Sequence, residues 1–358
     1  MDAPIRQRIR YLRSRDGVKL AWAEAGSGPT LIRAASWLTH LEYDLESPVW
    51  RHWIRFFSAH TRFIRYDQRG CGMSDPSLAD MSWPRWREDL EEVAAVAAPD
   101  ERVTLLGVSQ GAAVCVAYAA AHPERVSSLI LCGGYARGWA RRDDPRALRE
   151  YAAIIELIRV GWGKDNAAFR EVFTSRFIPG GTREQIDWFN DLCRKTAAPD
   201  TAAEVQLSPS QIDITGDLDK VEAPTLVLHV RGDAVVPVAE GRLLAAGIPG
   251  AEFVELDSKN HILLEDEPAW GRFCGAVLEF LGLGAEQAEE DPAFSRLTAR
   301  ERGILALLTE GLSNADIAER LSLSEKTVRN HISSVFDKLG VWTRAQAIVF
   351  ARDRRFRG

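Results

Sequence analysis

Three residues far apart in the chain have side chains that together could perform acyl transfer. Ser109 stands in Gly107-Val108-Ser109-Gln110-Gly111, directly after the apolar run Val103 to Leu106 and before an Ala-rich stretch. Small residues on both sides of a serine at a strand-to-helix switch permit the strained turn that lifts its hydroxyl clear of the backbone. Such a serine needs a base and a group that orients the base. Asp233 follows the run Thr225 to Val230 in Arg231-Gly232-Asp233, and His261 follows Glu252 to Leu256 in Lys259-Asn260-His261. Taken alone, Asp233 also reads as turn chemistry and His261 as a surface histidine. The order serine, acid, histidine, each just past a strand candidate, makes them a set.

A second set lies near the C-terminus. Lys326, Thr327, Arg329, Asn330 and Ser333 fall on one face of Glu325 to Leu339, opposite the stripe Val328, Ile332, Val335, Phe336 and Leu339. Arginine can pair with guanine and asparagine with adenine, while lysine and hydroxyl groups suit phosphate. Ser324 is placed to cap this helix, and His331 is placed for packing or phosphate contact rather than base reading. Upstream, Gly311 ends one helix, Ser313 with Asp316 has capping-box spacing, and Leu321-Ser322-Leu323 makes a tight turn. That is a helix-turn-helix layout.

The elements that must position these residues differ between the two regions. Arg8 to Leu12 and Val18 to Glu24 alternate around Asp16-Gly17, which predicts an antiparallel hairpin. Further strand candidates at Thr30 to Ala34, Arg62 to Tyr66, Val103 to Leu106, Val126 to Cys132, Thr225 to Val230 and Glu252 to Leu256 are mostly separated by helix-length segments. Near-continuous apolar strands in that alternation predict a mostly parallel sheet covered on both faces. Between Cys132 and Thr225 helical patterns such as Ala147 to Val160 and Glu184 to Cys193 replace strands, so a helical cap over about 134–220 is expected. After the amphipathic stretch Pro268 to Leu281 the chain turns polar, acidic and Gly-containing, and 282–292 reads as a linker. Residues 1–281 and 293–358 are then two domains, the second built from helices at Thr298 to Thr309, Asn314 to Leu321, Glu325 to Leu339 and Arg344 to Asp353.

Charge separates the same two regions. The net charge of −6 divides into +5 on 293–358 and −11 on the remainder. A basic tail on an acidic body directs only the tail toward a polyanion, although a solvated helical face would look the same on charge alone. No apolar run approaches the ~20 residues that span a bilayer, and the N-terminus has no apolar segment of a secretory signal, so a cytoplasmic protein without membrane contact is expected. The five cysteines are dispersed and form no C-x-x-C pair, which points to neither disulfides nor a metal site; no cofactor is expected.

With elbow, Asp turn, late histidine, cap insertion and the segment Asp67-Gln68-Arg69-Gly70-Cys71-Gly72-Met73-Ser74 in order, residues 8–281 resemble the α/β-hydrolase superfamily, most closely its sensor domains fused to signalling outputs. The resemblance implies Ser109 as nucleophile, His261 as general base and Asp233 as its orienter. Many members carry His-Gly after the strand equivalent to Thr30 to Ala34; here the segment reads Ala34-Ala35-Ser36-Trp37-Leu38. The oxyanion hole would then use the amide of Gln110 and that of Ser36 or Trp37. The tail resembles the LuxR-type helix-turn-helix over Leu297-Thr298-Ala299-Arg300-Glu301-Arg302, Gly311 to Ala318, Ser324 to His331 and Lys338 to Val341. That resemblance implies double-stranded DNA as partner and homodimerisation through the fourth helix.

Aromatic residues Trp139, Trp162, Trp188, Phe169, Phe173, Phe177 and Phe189 of the cap, together with Trp37, could line a pocket for a small apolar ligand, although aromatics at helical spacing are more often core. The expected protein is a LuxR-type transcriptional regulator whose hydrolase-like domain senses an apolar ester- or lactone-like molecule, with slow hydrolysis of it left open. The competing expectation is a serine ester or lactone hydrolase with an accessory DNA-binding tail.

Overall fold

A computed structural model of the chain describes residues 5–76, 80–166, 168–283, 293, 294, 296–321, 323–354 and 356. Most of the expected linker (284–292), Ser322 of the tail's turn and Arg355 and Arg357 of its basic end lie outside the described residues. Two compact units result, Met1–Phe280 and Leu281–Gly358.

The hairpin forms as β1 (Gln7–Arg13) and β2 (Lys19–Ala25), antiparallel around Gly17 at φ 89°. Then β3 (Thr30–Arg33), α1 (Arg51–His60), β4 (Arg62–Tyr66), α2 (Trp83–Ala97), β5 (Val103–Val108), α3 (Gln110–Ala121) and β6 (Val126–Cys132) alternate. Here β5 runs two residues beyond its apolar core, because the strand continues until the turn at Ser109. The cap follows as α4 (Pro145–Gly161), α5 (Ala168–Phe177), α6 (Arg183–Thr196) and α7 (Pro199–Leu207). The chain then returns to the sheet as β7 (Thr225–Val230), α8 (Val238–Gly247), β8 (Glu252–Leu256) and α9 (Pro268–Phe280).

Among the described residues the strands make one eight-stranded sheet, β1-β2-β4-β3-β5-β6-β7-β8, parallel from β4 to β8. Every residue of β5 and β7 is buried, as both-face coverage demands. On one side α2, α3 and α8 bury Leu90, Val93, Val114, Val116 and Leu244. Another helical pair forms where α1 and α9 meet through Trp53 and Phe273, ring centroids 4.7 Å apart. Burying such side chains stabilises by ~1.5–3 kcal/mol each.

The second unit holds α10 (Ala299–Thr309), α11 (Asn314–Arg320), α12 (Glu325–Leu339) and α13 (Arg344–Asp353). Its core contains Ile304, Leu308, Ile317, Val328, Ile332, Val335, Leu339 and Ala347. Capping boxes start α10 at Thr298, α11 at Ser313 and α13 at Thr343, and Gly311 at φ 87° breaks the chain after α10. Glu301 serves twice: it completes the Thr298 box and accepts from Ser334 Oγ (2.7 Å) and Lys338 Nζ (2.6 Å), tying α10 to α12. Burial pushes its carboxyl up, but Lys338, the Thr298 amide and Ser334 outweigh burial and hold it at about 2.

Candidate functional site

Ser109 is the pivot between β5 and α3, at φ 53° and ψ −123°, a conformation costly for any residue with a Cβ. Its amide donates to Cys132 O on the neighbouring strand (2.9 Å), and its carbonyl accepts from Ala112 N (3.0 Å). The flanking glycines are steric requirements. A Cβ at Gly107 would lie 2.5 Å from Ala112 Cα, and one at Gly111 would press on the Ala34 and Ala35 carbonyls at 3.2 and 3.3 Å. The segment after β3 therefore runs directly against the first turn of α3.

Asp233 emerges past β7 and His261 past β8, their side chains both buried, and His261 Nδ1 donates to Asp233 Oδ2 at 2.6 Å. The other carboxylate oxygen accepts the Val235 and Val236 amides at 2.8 and 2.9 Å. Burial alone would raise the Asp233 pKa, but the His261 charge and hydrogen bond and the Val236 amide hold it below the usual carboxylate range. The pair fixes the imidazole with Nε2 as the free acceptor, the atom a serine proton would reach. Among the described residues that Nε2 has no hydrogen-bond partner, so the proton-transfer contact with Ser109 is not made here. Close approach is possible because residue 133 is glycine, at φ 58°: a Cβ there would sit 3.1 Å from the imidazole.

Both alternatives for the second oxyanion donor stay available. Neither the Ser36 nor the Trp37 amide donates a hydrogen bond among the described residues. The first candidate donor, Gln110, opens α3, and its side chain donates to Gln68 Oε1 (3.1 Å), linking the elbow to the Asp67-Gln68-Arg69-Gly70 turn.

The four tryptophans separate. Trp37 lies against α5, stacked on Phe173 and Phe177 (centroids 6.0 and 6.2 Å) and edge-on to Trp162 (5.8 Å). Phe177 in turn meets the His261 ring at 5.4 Å. Trp139 instead stacks on Tyr151 (4.8 Å) and Trp188 on Tyr43 (4.6 Å), and neither shares a ring contact with Trp37 among the described residues. Periodicity in the sequence cannot say which neighbour an aromatic face meets.

Several supporting residues escaped sequence reasoning. Asn260, beside His261, accepts from Gly180 N of the cap (2.7 Å), and Ile262 N donates to Phe177 O (3.2 Å), so the end of α5 and the turn after it hold the histidine loop on both sides. His229, buried within β7, lies 3.0 Å from Val236 O and 3.7 Å from Asp233 Oδ2, and burial pushes its pKa down. A strand histidine carries no spacing signal that would have marked it.

In the second unit Ser324 caps α12 by accepting from Thr327 N (3.1 Å). Lys326, Arg329 and Asn330 are exposed, Thr327 and His331 half-buried. No side-chain hydrogen bond or ion pair occupies Lys326, Arg329 or Asn330 among the described residues. Other cations of the tail are internal ties: Arg300 donates to Leu321 O (3.0 Å), and Arg344 donates to Leu312 O and Asn314 Oδ1. The free cations of α12 stand on the face expected to meet nucleic acid.

Residues 26–270 match the alpha/beta hydrolase family, over two thirds of the chain. The chain belongs to that family. Residues 295–351 match the LuxR family of bacterial regulatory proteins, giving a hydrolase-fold domain followed by a LuxR-family DNA-binding domain. The AB hydrolase superfamily protein YisY of Bacillus subtilis is 26% identical over 258 residues, 70% of this chain and 91% of that protein. A crystallised hydrolase from Pseudomonas aeruginosa superposes with a TM-score of 0.63 at 25% identity, over 77% of this chain and 98% of its own. The DNA-binding transcriptional activator DevR/DosR of Mycobacterium tuberculosis is 50% identical over 66 residues, 18% of this chain but only 30% of that activator. Among the described residues no helix of this two-domain protein is long and apolar enough to cross a membrane.

Proposed function

We propose that this protein is a LuxR-type transcriptional regulator whose hydrolase-fold domain binds a small apolar ester- or lactone-like molecule and turns it over slowly. The observation that carries the reading is the presence, on one chain, of an intact Asp233–His261 pair with an elbow serine and of an α12 whose Lys326, Arg329 and Asn330 are unspent. The protein acts in the cytoplasm, where its DNA is, as a homodimer paired through α13, on which Val349 is 54% exposed.

In the proposed reaction Ser109 Oγ bonds to the ligand's carbonyl carbon while its proton passes to His261 Nε2. The carbonyl oxygen takes the negative charge and is held by the Gln110 amide and by that of Ser36 or Trp37. Collapse expels the alkoxide, which takes the proton from His261, and water repeats the sequence to free the acid and restore Ser109. Asp233 stays ionised throughout and keeps the imidazole oriented.

The reading is tested by binding of the full chain to DNA from its own promoter, with and without candidate esters and lactones, over a range of salt. Absence of salt-sensitive binding under every condition would refute it. The second reading, an ordinary serine ester or lactone hydrolase with an accessory tail, is favoured by the 2.6 Å Asp233–His261 contact alone. Rapid turnover of p-nitrophenyl esters, lost in Ser109→Ala, with no effect of any ester on DNA binding, would select it.

A further inference from the structure

The segment that replaces His-Gly is held from below by a buried cation. Arg33 closes β3, is only 5% exposed, and donates from its terminal guanidinium nitrogen to Ser36 Oγ at 3.2 Å. Its guanidinium lies over the Trp50 ring, 4.2 Å from the centroid. Burial lowers the Arg33 pKa to about 10, with the Asp44 carboxylate opposing, so the group is a cation at neutral pH. A strand residue inside a sheet is ordinarily apolar, and a buried guanidinium costs several kcal/mol unless its surroundings compensate. Here Asp44, Asp67 and the face of Trp50 supply the compensation, and Ser36 receives the hydrogen bond.

Every other point of the segment is fixed by something different. Ala34 N donates to Leu106 O on β5 (3.0 Å), and the Ala34 and Ala35 carbonyls lie where a side chain at Gly111 would meet them. Downstream, Thr39 Oγ1 accepts Gln68 N (3.1 Å) and Leu41 N donates to Asp67 Oδ2 (3.2 Å). Between these anchors Leu38 takes φ 47°, a left-handed conformation that a leucine holds only under constraint. Ser36 and Trp37, whose amides donate to nothing among the described residues, sit in the middle, and the Arg33 guanidinium ties that stretch through Ser36 Oγ.

We infer that Arg33 is a positioning residue that aims the Ser36 and Trp37 amides through its bond to Ser36 Oγ and so sets the second oxyanion donor. This rests on the reading of those amides as that donor. Acting through the backbone, Arg33 touches neither ligand nor Ser109 and affects the acylation step rather than ligand affinity.

Two variants of the full chain test it, Arg33→Met and Ser36→Ala. Ser36→Ala leaves the buried charges intact and keeps the amide, so it remains informative where Arg33→Met does not fold. Two quantities are read: the acylation rate of Ser109 by p-nitrophenyl butyrate against its KM, and hydrogen exchange at the Ser36 and Trp37 amides. Acylation is expected to slow about 10-fold in Ser36→Ala and about 100-fold in Arg33→Met with KM within about twofold. Exchange at both amides is expected to quicken by about 10-fold. Unchanged exchange in Ser36→Ala overturns the inference, whether or not the wild type acylates. Quickened exchange with an unreactive wild type upholds the tie and removes the hydrolytic reading instead. Quickened exchange with an unchanged acylation rate in a reactive wild type shows that the tie does not aim an oxyanion donor and also overturns the inference.

Discussion

At the scale of single residues, Asp233 and Glu301 are carboxylates whose folded pKa lies below the free value, so each contributes stability above the unfolded pKa that is lost as pH falls through the folded one. For Glu301 the window runs from its ordinary 4.5 down to about 2. Glu301→Gln keeps the cap but removes the charge facing Lys338. It is expected to lower the stability of the tail by about 2 kcal/mol at pH 7, with the difference from wild type shrinking below pH 4.5. Chemical denaturation monitored at several pH values checks this; a pH-independent difference would contradict it. Asp233 orients His261 through a single 2.6 Å bond, so Asp233→Asn should cut ester turnover by ~10⁴-fold without unfolding the domain, as followed by steady-state kinetics.

At the scale of elements, the proposed function makes α12 the reading surface and the turn between β5 and α3 the chemical one. Arg329→Ala is expected to weaken DNA binding by ~1–3 kcal/mol and relax base preference at one position, whereas Lys326→Ala should weaken binding evenly across sequences and flatten the salt dependence. Fluorescence titration against randomised sites separates the two, and equal binding by wild type and both variants would reject α12 as the reader. Gly107→Ala forces a Cβ to within 2.5 Å of α3 and is expected to abolish Ser109 acylation, measured by the p-nitrophenolate burst. The elbow and all four tail helices were legible in the sequence because caps, glycines and apolar period are local signals: α12 and α13 fall on their expected residues. The roles of Trp139, Trp188 and Arg33 were not legible. A tryptophan in the cap takes its role from the ring it meets, Tyr151 for Trp139 and Tyr43 for Trp188, and Arg33, although only three residues from Ser36, owes its place in the core to Asp44, Asp67 and Trp50.

For the whole molecule, two domains carry opposite net charge, and the proposed function joins them through ligand. The end of α5 and the turn after it hydrogen-bond on both sides of His261 and α5 stacks on Trp37, so a molecule under the cap would bear at once on the base and on the oxyanion segment. A coupling of only ~1–3 kcal/mol between that site and the tail would suffice for a 5- to 150-fold change in DNA affinity. Slow turnover would then end the signal, and Ser109→Ala should prolong it. The most direct test is the Kd of the full-length Ser109→Ala variant for its own promoter DNA at fixed salt, titrated with esters and lactones already shown by thermal shift to bind it. At least one of them should change that Kd by about fivefold or more; the same Kd with every bound compound would rule out coupling between ligand and DNA.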